Sequence, residues 1–577
     1  MDSKYVKIRI LIVALFFLLL FGAIGARAVQ LQIYRGPWLS RQASNEIERS
    51  VTTTGKRGTI YSHNMRVMAI STTVTSIAAY PGDIDIEDIQ ATAQALAKAL
   101  KMKAARIRKK LTKKKPFVWI KRQTTARETR TVRELKLKGI GFVSEPNRFY
   151  PSTTLAAQVV GFTGVDGKGL EGTEFYYDRL MQGTSRKFTV LKDANHRKFQ
   201  TQHQPSASGR GRDLVLTIDE SIQHITESAL KETVEKYSAR SALAIVMQPR
   251  TGAVLSIAHY PAFNPNAYQD YAKPLYRNRA ITDSFEPGST MKIFTAAAAL
   301  EYGDITSGTT FFCENGAYWI GNNVVHDTHN HGLLSLLEIV KYSSNIGAAK
   351  ISEKLGARKL YQTFRDFGFG VKTGIDCPGE IPGSLTSYTS WSNIDTASIS
   401  FGHGISVSAI QMITALSAIA NDGILMKPYI VEKITDPNSR IPNRFKPQKV
   451  RRVISVRTAR IVKNIMKAVV TKGGTGVNAA LEGYSVGGKT GTARKFDENG
   501  RYSNTKHIAS FIGFAPVDNP QIAVLVVVDE PQDQYYGSIV AAPLFKEIAQ
   551  QTLTYLNVPP DGSGVKLRVP QDSGTKG

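Results

Sequence analysis

The sequence predicts a membrane-tethered α+β protein. It has one N-terminal span, a mixed α/β region after it, and a C-terminal region built as an antiparallel sheet flanked by helices. Three observations carry this expectation. Ile10 to Ala26 is an unbroken apolar run preceded by Lys4, Lys7 and Arg9. From Asp213 onward, strand-like segments occur at both ends of the region with helical stretches between them, which one sheet closed by distant segments satisfies. Pro287-Gly288 opens a stretch in which Ile293 to Leu300 carries a single hydroxyl, Thr295, among apolar residues. That pattern describes a helix started by proline and buried on most sides.

With slightly polar flanks the first run reaches the roughly 20 residues that cross a bilayer. The basic residues before it place residues 1–9 in the cytoplasm as a short tail, with 10–29 as the anchor. Ala26-Arg-Ala28 loosely resembles a signal-peptide cleavage site. The apolar run exceeds the usual signal core, however, and continues through Val29, Leu31 and Ile33, which favours an uncleaved anchor. At 577 residues the chain is long enough for two to four domains. Its formal charge of +27 would suit nucleic acid. An anchor of this orientation puts nearly all the chain outside the cytoplasm, away from chromosomal DNA, so no nucleic-acid partner is expected. Cys313 and Cys377 could pair in an oxidising compartment or stay as buried thiols, and their spacing leaves both open.

After the anchor, Ser40 to Thr54 is polar, followed by Arg57-Gly-Thr-Ile60 and the apolar pattern of Val67, Met68 and Ile70. Ala91 to Leu111 has helical periodicity, with Leu96, Leu100 and Ile107 as core candidates. Lys98 to Lys138 holds seventeen Lys/Arg against Glu128 and Glu134. It reads as a solvated basic face, or as a contact for anionic lipid headgroups or an acidic partner. Glu145 to Gly183 is rich in glycine and aromatics and reads as turns and short strands. Gln200 to Arg212 has no apolar period. These changes divide the remainder into 30–205, a linker at 206–212, a main domain at 213–558 and a disordered tail at 559–577. Within the main domain the strand candidates are Leu214–Ile218, Ala242–Met247, Ala253–His259, Tyr484–Lys495, His507–Ala515 and Ile522–Val528. Glu220–Lys236 and Val540–Leu556 are amphipathic helices.

Ser289 and Lys292 stand three apart on one face of the Pro287 helix. The first turn favours developing negative charge, and a lysine in an apolar setting can lose its proton and activate a hydroxyl. The bare spacing recurs at Ser503/Lys506, Ser563/Lys566 and Ser573/Lys576, but only Ser289 opens a long apolar helix. Ser343-Ser-Asn345 lies at a junction between two helical stretches, where such residues either cap a helix or point into a cleft. In Gly487-Gly-Lys-Thr-Gly-Thr-Ala493, glycines weaken a strand unless something approaches its backbone closely. Alternation places Lys489 and Gly491 on one face and Thr490 and Thr492 on the other. A second Lys-Thr-Gly, at Lys372 to Gly374, sits in a turn-rich stretch without a strand pattern and is set aside.

Ser289-x-x-Lys292, Ser343-x-Asn345 and Lys489-Thr-Gly491, in this order, resemble the penicillin-binding protein and serine β-lactamase superfamily. The flanks agree: Leu216-Thr-Ile-Asp219, Pro249-Arg-Thr-Gly252, Pro261-x-Phe-x-Pro-Asn266 and Ser400-Phe-Gly-His-Gly-Ile-Ser406, the last like the segment closing the cleft. Arg57-Gly58, Arg148 with Tyr150-Pro151, and Gly169 to Glu174 resemble the elongated pedestal, or dimerisation domain, of class B members. Ser62-His63 and Met65 stand where Asp-Arg and glycine are usual. The resemblance implies a transpeptidase fold with a helical subdomain, and a D,D-transpeptidase of the inner membrane that cross-links peptidoglycan. Ser289 would be the nucleophile and Lys292 its base. Ser343 would relay a proton and Asn345 orient the amide. Lys489, with Thr490, Gly491 and Thr492, would hold the terminal carboxylate of a D-Ala-D-Ala stem. No metal or organic cofactor is called for, and β-lactams would be covalent inhibitors. Asp529-Glu-Pro531, Tyr535-Tyr-Gly537 and Ala541-Ala-Pro-Leu-Phe545 look like the division and sporulation branch, the elongation branch being the alternative. That branch implies a SEDS-family membrane glycosyltransferase and other divisome membrane proteins as partners. A carboxypeptidase, a β-lactamase-like hydrolase or an idle membrane scaffold are the rival readings.

Overall fold

The computed structural model describes residues 3–39, 48–53, 55–183, 186–192, 198–199, 209–302, 305–436, 443–496 and 500–561. Positions 206–208 of the expected linker and the expected tail from residue 562 onward lie outside the described residues. Two compact units are distinguished. The first holds the helix Ser3–Val29, whose apolar side chains are exposed and whose span from Lys7 to Tyr34 is long and apolar enough to cross a membrane. It also holds a small sheet of Glu48–Thr53, Arg186–Lys192 and Lys198–Phe199.

The second unit, Arg57–Gln182 with Gly211–Gly577, is built on two larger sheets. The five-stranded sheet runs Val254–Tyr260, Ser241–Met247, Ile522–Asp529, Tyr502–Ala515, Gly487–Phe496, with every neighbouring pair antiparallel. In its central strands the runs Ala242–Met247 and Ile522–Val528 are apolar throughout because both faces are covered, and the period of two assigns each side chain to a face. Ala244, Val246, Val524 and Val526 pack under the helices Glu220–Lys236 and Ala541–Tyr555. Leu243, Ile245, Leu525 and Val527 face the opposite core, which takes in the helices Lys292–Glu301, Ala409–Ala420 and Val456–Val470. The joining of sequence-distant strands is as expected, with one exception. The strand expected at Leu214–Ile218 forms as Asp213–Leu216 but does not enter this sheet.

It lies instead in the seven-stranded sheet, parallel to Ile60–Tyr61 and antiparallel to Val431–Thr435. Beyond Ile60–Tyr61 that sheet continues through Val67–Ala79, which also pairs with Val118–Thr124 and Ile140–Phe149. Apolar runs of four residues carry no label for the sheet they join, so pairing with a two-residue strand far upstream was not legible. The helices Ile89–Leu100 and Ala104–Leu111 cover the far end, burying Leu96, Leu100 and Ile107 as their periodicity requires.

Three segments singled out in the sequence converge on one buried carboxylate. Glu174 accepts from Arg57 Nε at 2.6 Å and from Arg148 Nε at 2.6 Å, and Tyr150 Oη donates to it at 3.4 Å. Arg57 also reaches Asp178 at 2.6 Å. The turn with the unusual residues still forms. Ser62 Oγ accepts from Arg66 N at 3.2 Å, Met65 takes the left-handed φ of 59° that glycine would occupy without cost, and His63 Nδ1 lies 2.9 Å from Glu432. Cys313 and Cys377 are buried and unpaired with each other.

Candidate active site

The sheet edge strand Gly487–Phe496 and the start of the apolar helix form the two walls. Gly288–Met291 is a 3₁₀ turn with Pro287 in its N-cap position, and the α-helix proper begins at Lys292, one turn later than the sequence suggested. A 3₁₀ turn eclipses positions three apart, so Ser289 and Lys292 still share a face. The single hydroxyl on this helix is accounted for: Thr295 Oγ1 donates to Ser400 O at 2.7 Å. Lys292 is 1 % exposed and its Nζ donates to Ser343 O at 2.5 Å, Ser343 Oγ at 3.2 Å and Asn345 Oδ1 at 2.7 Å. Ser289 is partly exposed.

Why Ser343 and Asn345 reach the lysine follows from the helix junction. Tyr342 ends one helix, Ser343 takes a left-handed φ of 64°, and Asn345 starts the next. The cap is Ser344, whose Oγ accepts from Gly347 N at 2.9 Å. Capping is thus delegated to the middle residue, which frees Ser343 and Asn345 to face the cleft. Lys489 arrives from the opposite wall, fully buried, and its Nζ lies 3.0 Å from Ser343 Oγ. One hydroxyl therefore sits between two lysine nitrogens. Lys489 also donates to Thr490 O at 3.1 Å and Thr490 Oγ1 at 3.3 Å, so its flexible tip bends toward a side chain of the other face.

The glycines around Lys489 have separate reasons. A Cβ on Gly491 would meet Ser510 Oγ at 2.4 Å and Thr290 Cγ2 at 2.9 Å, which is how the strand seats against the Ser289 turn. A Cβ on Gly487 or Gly488 would strike the rings of Phe514 and Phe511 on the neighbouring strand, at 2.7 and 2.4 Å. Thr492 Oγ1 accepts from Gly537 N at 3.0 Å, which ties the loop before the last helix to this edge. Burial pushes the Lys292 ammonium down to about 7, with Asp327 partly opposing, and pushes Lys489 well below its ordinary value, Lys292 adding repulsion. The geometry therefore offers Ser289 on the same face as an amine that titrates near neutrality, a second hydroxyl, Ser343, hydrogen-bonded to that amine, and a second amine suited to an anionic group.

Comparison with known proteins agrees with this geometry. The penicillin binding protein transpeptidase domain matches residues 242–550, and the penicillin-binding protein dimerisation domain matches residues 52–216. A probable peptidoglycan D,D-transpeptidase, PenA of Neisseria meningitidis, is 36 % identical over 96 % of this chain and 93 % of its own length. The chain belongs to the class B penicillin-binding proteins. Peptidoglycan D,D-transpeptidase FtsI of Escherichia coli is 32 % identical over 98 % of this chain and 95 % of its own. A crystal structure of penicillin binding protein 3 from Mycobacterium tuberculosis, complexed with aztreonam, superposes with a TM-score of 0.69 at 26 % identity, covering 88 % of this chain and 98 % of that one.

In this penicillin-binding protein all eight residues singled out by sequence lie on the two walls or the junction between them. The second Lys-Thr-Gly does not join them: Thr373 is held by Glu380 in a loop and Lys372 is exposed. Three participants escaped the sequence reading. Asp327 accepts from Ser344 Oγ at 2.5 Å, Asn345 N at 2.5 Å and Ile346 N at 3.0 Å, and so fixes the Ser343–Asn345 junction. Glu286 accepts from Gly404 N at 2.9 Å and Tyr502 Oη at 3.0 Å, tying the 400–406 segment and the strand hairpin to the Ser289 turn. Thr475 Oγ1 lies 3.3 Å from Thr490 Oγ1. For Asp327 nothing in His326-Asp-Thr-His329 signals the role. Glu286 stood directly before Pro287 and was readable as a neighbour of Ser289.

Proposed function

We propose that this class B penicillin-binding protein is a peptidoglycan D,D-transpeptidase working through a Ser289 acyl-enzyme. The convergence of Lys292 and Lys489 on Ser343 Oγ, beside the Ser289 turn, carries the reading. Ser289 Oγ attacks the carbonyl of the penultimate D-Ala, and Lys292, neutral in a substantial fraction near pH 7, takes its proton. Backbone N–H groups of Ser289 and Thr492 stabilise the oxyanion. Asn345 orients the amide. Lys489, with the Thr490 and Thr492 hydroxyls and the close backbone at Gly491, holds the terminal carboxylate. Ser343 passes its proton to the departing D-Ala nitrogen as the C–N bond breaks and takes back in its place the proton that Lys292 received from Ser289. The amine of a neighbouring stem then attacks the ester, forming the cross-link and returning the proton to Ser289 Oγ. β-Lactams mimic the donor and acylate the same oxygen.

The Asp529-Glu-Pro531 and Tyr535-Tyr-Gly537 signatures, and the relatives carrying the names PenA and FtsI, support a role in septal wall synthesis. The chain is anchored by its apolar helix, and we place its N-terminus in the cytoplasm and its second unit outside, from the basic residues before the span. Residues 30–205 serve as the pedestal and 213–558 as the transpeptidase domain. A SEDS-family glycosyltransferase would supply the glycan. The full-length protein, given glycan strands bearing pentapeptide stems, should yield cross-linked dimers in digested muropeptides. Free D-Ala with trimmed monomers only would make it a carboxypeptidase instead.

A further inference from the structure

The antiparallel hairpin Ala317–Ile320 with Asn323–His326 leads directly into Asp327, the residue that fixes the Ser343–Asn345 junction. Asn345 Nδ2 also donates to His326 O at 2.9 Å. Alternation turns Ile320 and Val325 inward, both buried, and leaves Ala317, Trp319, Val324 and His326 on the outward face. Trp319 is 67 % exposed. Lys350 Nζ lies over both the Tyr318 and Phe312 rings, at 4.7 and 5.8 Å, so the hairpin adjoins the ribbon on which Phe312 pairs with the 69 % exposed Leu333. From Ala317 to Ser335 the only acidic or basic side chain apart from histidine is Asp327, in a chain where 21 % of residues are charged. That one charge is consumed by the Ser344, Asn345 and Ile346 contacts. What remains is an outward face that carries Trp319, with the amide and imidazole groups of Asn322, His326, His329, Asn330 and His331 in the same stretch.

We propose that this face is a subsite for the glycan strand that carries the donor stem, an uncharged N-acetylated sugar polymer, with Trp319 stacking on a sugar ring. The charged groups beside the hairpin, Lys350 and Glu353, meet it at Tyr318 on the inward side; the outward residues carry no carboxylate or ammonium of their own, and an exposed ring flanked by amide and imidazole groups fits a polymer with apolar ring faces and hydroxyl and acetamido edges. The reach agrees. From Val324, directly across from Trp319, to Asp327 is three residues, roughly 10 Å of extended chain. Four extended residues of stem between the scissile bond and the sugar span roughly 13 Å. Since Asn345 itself meets the hairpin at His326 O, a donor peptide of that length whose amide is oriented by Asn345 is long enough to set its own glycan on the hairpin. The inference rests on the transpeptidase reading of the Ser289 site and extends it from the peptide to the polymer.

The test uses the full-length protein and three substrates: penicillin, a sugar-free D-Ala-D-Ala peptide, and glycan strands bearing pentapeptide stems. Trp319→Ala should raise KM for the glycan-borne stem about tenfold, as loss of one stacking contact implies, with kcat, penicillin acylation and the sugar-free peptide all within about twofold of wild type. Trp319→Phe should restore most of the loss. Separately, peptide-free glycan strands should quench the protein's tryptophan fluorescence, and Trp319→Ala should abolish the quench. That titration needs no turnover, so it reads the subsite even if the transpeptidase assignment fails. An unchanged glycan-strand KM, a titration unaffected by Trp319→Ala, or equal slowing on all three substrates would overturn the proposal. An unchanged KM in a variant defective in cells would assign the face to a protein partner.

Discussion

Asp327 offers the sharpest test of how the site is held, because it touches no substrate and yet ties down two groups that do. Its carboxylate accepts from Ser344 Oγ and from the N–H groups of Asn345 and Ile346 at 2.5, 2.5 and 3.0 Å. Three such bonds to a charged acceptor at a helix start, each worth about 1–1.5 kcal/mol net, give a loss of about 3–4 kcal/mol in Asp327→Ala, some of it as local displacement rather than unfolding. A shift of about 1 Å in Asn345, which accepts from Lys292 Nζ, should slow acylation about a hundredfold. Asp327 also opposes the burial that depresses Lys292, so removing its charge must lower the lysine further. In Asp327→Asn, which can keep the two backbone contacts, the acid limb of the acylation profile should move to lower pH while the plateau falls about tenfold. The assay is the second-order acylation constant with a chromogenic cephalosporin between pH 5 and 9. An Asp327→Ala enzyme within twofold of wild type, or an acid limb in Asp327→Asn that moves upward, would refute the reasoning.

Three other outcomes follow from the same structure. Lys489→Ala should cut acylation about a hundredfold or more, the worth of a buried charged contact of several kcal/mol, while Lys372→Ala, exposed in its loop, should stay within a few-fold; kinetics with one β-lactam decide it. In wild type, acylation should rise about tenfold per pH unit below about 7 and level above it if, as proposed, the base is Lys292 in its neutral form, since burial places its titration there. A flat profile from pH 5 to 9 would exclude Lys292 as base. Glu174→Ala strands Arg57 and Arg148 in the interior and should cost about 3–5 kcal/mol, read as a lowered Tm, with acylation of the folded protein unchanged.

The candidate site residues could be singled out because this chemistry uses few residue types at fixed spacing, and because context sets them apart from the repeated patterns. Ser289 opened an apolar helix while the other three serine–lysine pairs did not, and Lys489 lay in a strand while Lys372 did not. The five-stranded sheet was legible because strands covered on both faces read as apolar runs such as Ala242–Met247 and Ile522–Val528. Two-residue strands were not. Ile60–Tyr61 has no periodicity to read, and without it the place of Asp213–Leu216 beside it was invisible. Asp327 escaped because its role is set by where a hairpin ends, 18 residues before the Asn345 that it holds. The glycines at 487 and 488 signalled close approach correctly, but the approaching groups are Phe514 and Phe511 rather than a ligand.

The measurement that bears most directly on the account is the intact mass of the full-length protein after exposure to penicillin, followed by peptide mapping. One covalent adduct on Ser289 should form, persist long enough to be isolated, and vanish in Ser289→Ala. An adduct on another residue, or swift return of unmodified protein with hydrolysed drug, would contradict the assignment of a long-lived acyl-enzyme at Ser289.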